Sequence, residues 1–298
     1  MAKPLEIVIL SGKGGTGKTS ITAAFAAMAE NAVLTDCDVD AADLHLILSP
    51  EIYHSEKFAS GAKAGIKTEN CTACGLCAEL CRFNAIKVIR NEFTIDKYAC
   101  EGCGLCKEAC PADAIIIINP ENNLIYLANC RFGPVVYGKL ATAEENSGKL
   151  VSKIRQHAKS IARVNHAEII ITDGPPGIGC PAISSVTGAS LVIAVTEPTL
   201  SGWHDLQRLI EMIDFFHMPV HVIINKYDLN KDISRAMENN LEKKGIPVLG
   251  KIPYDEAVVY ALIQSKTITE YQPGGFIANE LTRMWETILN IIYEPKSI

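Results

Sequence analysis

The chain has 298 residues, 48% of them hydrophobic and 21% charged, which is enough apolar content for a full core in one large domain or in one domain carrying a smaller one. The net charge of −6, the isoelectric point near 5.7 and the absence of any Lys/Arg block exclude nucleic acid as an expected main partner. Met1-Ala2-Lys3-Pro4 runs straight into an apolar stretch with no signal-peptide core, and no apolar run approaches membrane-spanning length. A cytoplasmic location without stable membrane insertion is expected.

The apolar run Leu5 to Leu10 is followed by Ser11-Gly12-Lys13-Gly14-Gly15-Thr16-Gly17-Lys18-Thr19-Ser20 and then by a small-residue helix pattern, Ile21 to Ala29. Strand, glycine loop and helix in that order satisfy G-x-x-x-x-G-K-[ST] from Gly12 to Thr19. Gly12, Gly14, Gly15, Thr16, Gly17, Lys18, Thr19 and Ser20 are expected to cradle phosphates, because glycines let backbone N–H groups turn inward at the positive end of a helix. Lys18 is expected to reach the β and γ phosphates and the Thr19 hydroxyl to ligate Mg2+.

Asn31 to Asp36 reads as a second strand, and the acids continue as Asp36-Cys37-Asp38-Val39-Asp40. At the carboxyl end of a strand in a doubly wound sheet this cluster is placed to face the phosphates, although acids in a turn also serve as solvated caps.

From about residue 58 to 120 the pattern changes. Cys71-x2-Cys74-x2-Cys77-x3-Cys81 is followed, 29 residues on, by Cys100-x2-Cys103-x2-Cys106-x3-Cys110-Pro111, and Ala85-Ile86 repeats as Ala114-Ile115. Ile86 to Ile89 and Ile115 to Ile118 read as strands covering two metal sites. The spacing suits two [4Fe-4S] clusters, each run giving three ligands to one cluster and its fourth cysteine to the other. Cys71, Cys74, Cys77 and Cys110 are expected to hold one, and Cys100, Cys103, Cys106 and Cys81 the other; structural zinc is the rival, with its separated CxxC pairs. Arg82 stands where Pro111 follows Cys110, and its positive charge is expected to raise the potential of the nearby cluster.

Beyond residue 120 the chain alternates again. Strands are expected at Val135 to Leu140, Glu168 to Thr172, Leu191 to Thr196, Val220 to Asn225 and Pro247 to Ile252. Helices are expected at Ser147 to Ala162, Ser201 to Phe216 and Asp232 to Lys244. The whole predicts a mostly parallel, doubly wound α/β domain, residues 1–57 and 121–298, interrupted by an α+β two-cluster ferredoxin-like insertion, 58–120. Phe276 to Ile292 is expected to pack on the sheet through Phe276, Ile277, Leu281, Trp285, Ile288 and Ile292.

Lys13-Gly14-Gly15-Thr16-Gly17-Lys18-Thr19, with its extra early lysine, resembles the deviant Walker A motif of the MinD/Mrp/nitrogenase iron protein ATPases. Asp36-Cys37-Asp38, Asp173-Gly174-Pro175-Pro176-Gly177 and Asn225-Lys226 extend the resemblance to both flanks of the insertion. The resemblance implies a nucleotide-dependent dimer, of this chain with itself or with a related chain, in which Lys13 touches the partner's phosphates. It implies that Asp38 positions the attacking water, that Asp173 holds Mg2+ through water and that Asn225 contacts the base. Asn225-Lys226-Tyr227-Asp228 also fits the N-K-x-D pattern that reads guanine; the early lysine favours ATP. Cys180 lies seven residues after Asp173, the spacing of one interface ligand in nitrogenase iron protein, but the loop from Leu140 to Gly148 contains no cysteine for the second. A transient metal at Cys180 and a small buried residue there are both open. Cys37 and Cys130 read as packing residues.

The function expected is ATP hydrolysis coupled to the cluster module, for electron transfer or for iron-sulfur or metallocofactor assembly, with a redox or iron-sulfur protein as partner. A MinD-like positioning or scaffold ATPase and a redox-sensing ATPase are the alternatives.

Overall fold

The computed structural model describes residues 3–59, 61–89, 92–141 and 147–293. In chain order, β1 (Leu5–Ser11), α1 (Lys18–Met28), β2 (Ala32–Asp36), α2 (Leu44–Leu48) and β3 (Glu51–Phe58) come first. β4 (Lys63–Ile66), α3 (Leu76–Leu80), β5 (Ile86–Ile89), β6 (Glu92–Ile95), α4 (Leu105–Glu108) and β7 (Ile115–Ile118) follow. Next are β8 (Asn123–Cys130), β9 (Gly133–Lys139), α5 (Ser147–Val164), β10 (Ile169–Pro176), α6 (Cys180–Val186), β11 (Leu191–Thr196) and α7 (Leu200–Phe215). β12 (Val220–Asn225), α8 (Lys231–Lys243), β13 (Val248–Ile252), α9 (Glu256–Ile263), α10 (Ile268–Tyr271) and α11 (Phe276–Tyr293) end the chain. The larger of two compact units comprises Met1–Glu56, Ile125–Lys139 and Ser147–Ile298; the smaller comprises Lys57–Leu124 and Leu140–Asn146.

A sheet of order β13-β12-β11-β1-β10-β2-β9-β8-β3 forms the larger unit's centre, and the pairings from β13 through to β9 are parallel. Parallel strands buried on both faces need apolar residues at every position. β1 meets that demand: Ile7 and Ile9 face the core beneath α1 and α11, while Val8 and Leu10 face the core beneath α7 and α8. Ala23, Ala24 and Ala26 keep α1 thin enough to seat deeply in the first core. In α11 the buried stripe is Ile277, Ala278, Leu281, Met284, Trp285 and Ile288, with Trp285 stacked on Phe25 at 5.5 Å. Phe276, expected on that stripe, is instead 63% exposed, because it is the first helical residue and lies beyond the reach of the core.

The smaller unit is two copies of one strand-helix-strand segment. Adding 29 to β4 gives β6, and adding 29 to β5 gives β7. The copies interlock: the first strand of the first pairs with the last of the second, Ile66 opposite Ile115, and Ile86 pairs in the same way with Ile95. Backbone conformation repeats too, with left-handed residues at Ala73 and Gly102, at Gly75 and Gly104, and at Asn84 and Asp113. A small core of Ala64, Ala85, Cys100 and Ile115 lies between them.

Candidate nucleotide site and cysteine cavities

The site forms where β1, β2, β10, β11 and β12 end, at the carboxyl edge of the sheet. Gly17, with φ of +87°, turns the loop into α1, and an added Cβ there would meet the Asn225 amide at 2.3 Å. The Asn225 amide nitrogen in turn donates to the Thr16 carbonyl at 2.7 Å, tying β12 to the loop. Gly14 and Gly15 face open space, which leaves room for phosphate oxygens.

Lys18 is buried, with Nζ 2.9 Å from Asp173 Oδ1 and 3.7 Å from Asp38 Oδ2, yet its ammonium makes no well-aligned hydrogen bond. Burial works against its charge, but Asp173, Asp36 and Asp38 outweigh that and hold the ammonium protonated, its pKa above the usual lysine value. The Thr16 hydroxyl is likewise buried without a partner. A buried hydroxyl without an acceptor is costly, and a phosphate would satisfy it while giving the Lys18 ammonium a second anionic partner beside Asp173. Asp173 accepts from the Thr19 hydroxyl at 2.8 Å and the Thr22 hydroxyl at 2.9 Å, so the hydroxyl and carboxylate expected at Mg2+ are neighbours. Burial pushes the Asp38 carboxyl up to about 6, against the Lys18 ammonium and with help from Asp173. Asp36, fully buried and accepting from the N–H groups of Asp38 and Leu44, shapes the acid turn.

Lys13 is held within its own chain, 2.7 Å from Glu197 and 3.2 Å from the hydroxyls of Thr199 and Ser201. Lys226 bridges Glu197, at 3.2 Å, and the Gly15 carbonyl, at 2.9 Å. Glu197 is a site residue to which the sequence alone assigns no chemistry, in a loop leading to a helix start; its signal is a carboxylate directly after an apolar strand in a doubly wound sheet. An apolar cavity of about 190 Å3 adjoins the loop, lined among others by Ile21, Asn225, Pro253, Tyr254, Val258 and Leu281. Asp228 does not face it freely: Oδ1 accepts the Tyr254 N–H at 2.7 Å.

The eight repeated cysteines fall into two cavities. Cys81, Cys100, Cys103 and Cys106 line one of about 180 Å3, and Cys71, Cys74, Cys77 and Cys110 line the other, of about 20 Å3. Each set thus unites three cysteines of one run with the fourth of the other. The Cys100 and Cys110 sulfurs accept backbone N–H groups from Ala64, at 3.4 Å, and Ala114, at 3.3 Å. Four thiols around one cavity, with amide donors to sulfur, fit a cubane cluster. Among the described residues no group of three or more His, Cys, Asp or Glu side chains is arranged to hold a metal ion. Cys180 is exposed at the first position of α6, not buried. The loop from Leu140 to Gly148, where a second interface ligand would fall, lies largely outside the described residues, at 142–146. Cys37 is fully buried and Cys130 partly so.

Fold and site together define a P-loop nucleotide-binding protein. Residues 7–268 match the CobQ/CobB/MinD/ParA nucleotide-binding domain, and the chain belongs to that family. It is a MinD/ParA-type P-loop ATPase in class, its sheet mostly parallel as in that group. It is 38% identical, over 76% of its length and 79% of the relative's, to an uncharacterised protein of Methanocaldococcus jannaschii. A second uncharacterised protein of that organism is 25% identical over 98% of this chain and 99% of its own. Septum site-determining protein MinD of Synechocystis is 26% identical over 85% of this chain and 77% of its own. Among solved structures, the cell division ATPase MinD of Pyrococcus furiosus superposes with a TM-score of 0.58 at 18% identity, over 96% of this chain and 99% of that one. Among the described residues no helix is long and apolar enough to cross a membrane.

Proposed function

We propose that this chain hydrolyses Mg-ATP in a nucleotide-dependent dimer and couples that cycle to two [4Fe-4S] clusters carried by its smaller unit. The observation that carries the nucleotide half is Lys18, a buried, protonated ammonium held by Asp173 beside open glycines and beside the unpartnered Thr16 hydroxyl. Lys18 would bind the β and γ phosphates, with the backbone from Gly12 to Ser20 around them. Thr19 would ligate Mg2+ and Asp173 would hold it through water. Asp38 would orient the attacking water and take up its proton, a task its raised pKa suits. Lys13, once released from Glu197, would reach the partner's phosphates and offset the charge that develops in phosphoryl transfer.

The base would occupy the cavity beside Asn225. Adenine is favoured over guanine because the early Lys13 marks an ATPase class and because Asp228 also serves the chain itself, accepting the Tyr254 N–H. Two proteins similar to this chain occur in one archaeon, which suits pairing with a related chain as well as with itself.

Cys71, Cys74, Cys77 and Cys110 would hold one cluster, and Cys100, Cys103, Cys106 and Cys81 the other; when bound, such clusters store and pass single electrons. Permanent ligands in two cavities favour electron transfer to a redox partner over cluster or metallocofactor delivery, for which the exposed Cys180 is a candidate ligand. A cytoplasmic setting goes with this reading. The likeness to MinD favours a second reading, a positioning ATPase in which the clusters sense redox state and set the hydrolysis rate.

Anaerobically purified protein tests the proposal directly. About eight irons per chain with matching sulfide are expected, together with Mg-dependent ATP hydrolysis that Lys18→Ala abolishes. Protein without iron, or hydrolysis that survives Lys18→Ala, would overturn the corresponding half.

A further inference from the structure

The two cysteine cavities are built from equivalent positions. Every residue lining the narrower one has its counterpart, 29 positions away, lining the wider one. Within that matched set the chemistry departs in three places: Pro111 answers to Arg82, Phe93 to Ala64, and Thr72 to Glu101. Arg82 stacks its guanidinium over Phe83, 4.8 Å from the ring centroid, and the counterpart of Phe83 is Ala112, so the platform too belongs to one copy only. Just outside the lining, Lys63 donates to the Cys100 carbonyl at 2.8 Å, and its counterpart is Glu92.

Formal charge at these positions is therefore unequal. Lys63, Arg82 and Glu101 sum to +1 about the wider cavity, where Lys87 pairs with Asp96 at 3.2 Å; Glu92, Pro111 and Thr72, with Lys67 in the place of Asp96, sum to zero in the equivalent places. Reduction adds negative charge to a cluster, so nearby cations raise its potential and nearby anions lower it. The lining differs in bulk as well: Phe93 stands at the narrower cavity where Ala64 stands at the wider.

We infer that the two clusters have unequal potentials, and that the first electron from a low-potential one-electron donor settles on the cluster held by Cys81, Cys100, Cys103 and Cys106. The inference rests on the cluster reading above. That cluster passes from the 2+ to the 1+ core state, no bond forms or breaks, and the second electron reduces the cluster of Cys71, Cys74, Cys77 and Cys110. Lys63 and Arg82 act as positioning charges that set the direction of electron flow, from the Phe93 side to the Arg82 side.

The test is an anaerobic potentiometric titration of the full chain with dithionite, followed by EPR, on the wild type and on Arg82→Pro and Lys63→Gln. Two one-electron waves are expected in the wild type. Each substitution is expected to shift the higher wave down toward the lower and leave the lower in place. If Arg82→Pro loses iron, Arg82→Gln is read in its stead. A single wave in the wild type, or a higher wave that stays put in variants with full iron content, overturns the inference while leaving the clusters intact. A wild-type chain with neither iron nor sulfide overturns the cluster reading itself.

Discussion

Lys18, Asp38 and Asp173 form a charge cluster that is expensive without ligand. The Asp38 carboxyl, lifted from 3.8 to about 6, lends stability only while protonated: that contribution is complete below about pH 4 and is lost as pH rises through about 6. Asp38→Asn is accordingly expected to raise the Tm of the nucleotide-free protein at neutral pH, a gain measurable by calorimetry, while lowering the hydrolysis rate by about 10²–10⁴-fold with nucleotide binding retained. For the same reason the wild-type rate is expected to fall as pH drops below about 6, and a flat profile from pH 5 to 8 would remove Asp38 from the proton path. Gly102 supplies another test at this scale. Its φ is +62° and an added Cβ would lie 2.0 Å from the Ala62 carbonyl oxygen, so Gly102→Ala is expected to cost more than about 1 kcal/mol and to reduce iron loading. The phosphate loop was legible in sequence because its parts are contiguous. Lys13 with Glu197, and Asp228 with Tyr254, were not: each pair joins segments that only the folded sheet brings together.

Between elements, the main fastening that sequence patterns do not announce is the Glu6–Arg155 pair. Arg155 of α5 reaches Glu6 of β1 through two hydrogen bonds of 2.6 and 2.7 Å and also donates to the carbonyls of Ser184 and Thr187 at the end of α6. Lys159 and Thr172 complete the carboxylate's partners at 3.2 Å. Both members of the pair are nearly fully buried, so Arg155→Ala, which leaves Glu6 only Lys159 and Thr172 and takes the donor from the Ser184 and Thr187 carbonyls, is expected to cost about 3 kcal/mol in denaturant unfolding. A loss below 1 kcal/mol would mean that water reaches Glu6. Long apolar or amphipathic elements such as β11, β12, α5, α7, α8 and α11 announced themselves within a residue or two. β3 did not, because Glu51 to Ser55 are all exposed and give no alternation to read. β4 and β6 escaped notice because, of Lys63-Ala64-Gly65-Ile66 and Glu92-Phe93-Thr94-Ile95, only the last residue is shared. α2, α9 and α10 are too short for a period of 3.6 to declare itself.

At the scale of the molecule, the family and fold identify the nucleotide unit, while the repeated cysteines carry the reading of the other. A nucleotide switch and an electron store in one chain have a use together only if the state of one alters the other. The measurement that tests this most directly is made on reduced, anaerobic protein: cluster EPR spectra and potentials with Mg-ATP against Mg-ADP, in wild type and Lys18→Ala. A nucleotide-dependent shift that disappears in Lys18→Ala is the predicted result. Identical spectra and potentials in ATP and ADP, with clusters and hydrolysis both intact, would contradict the coupling and leave the two units as independent modules.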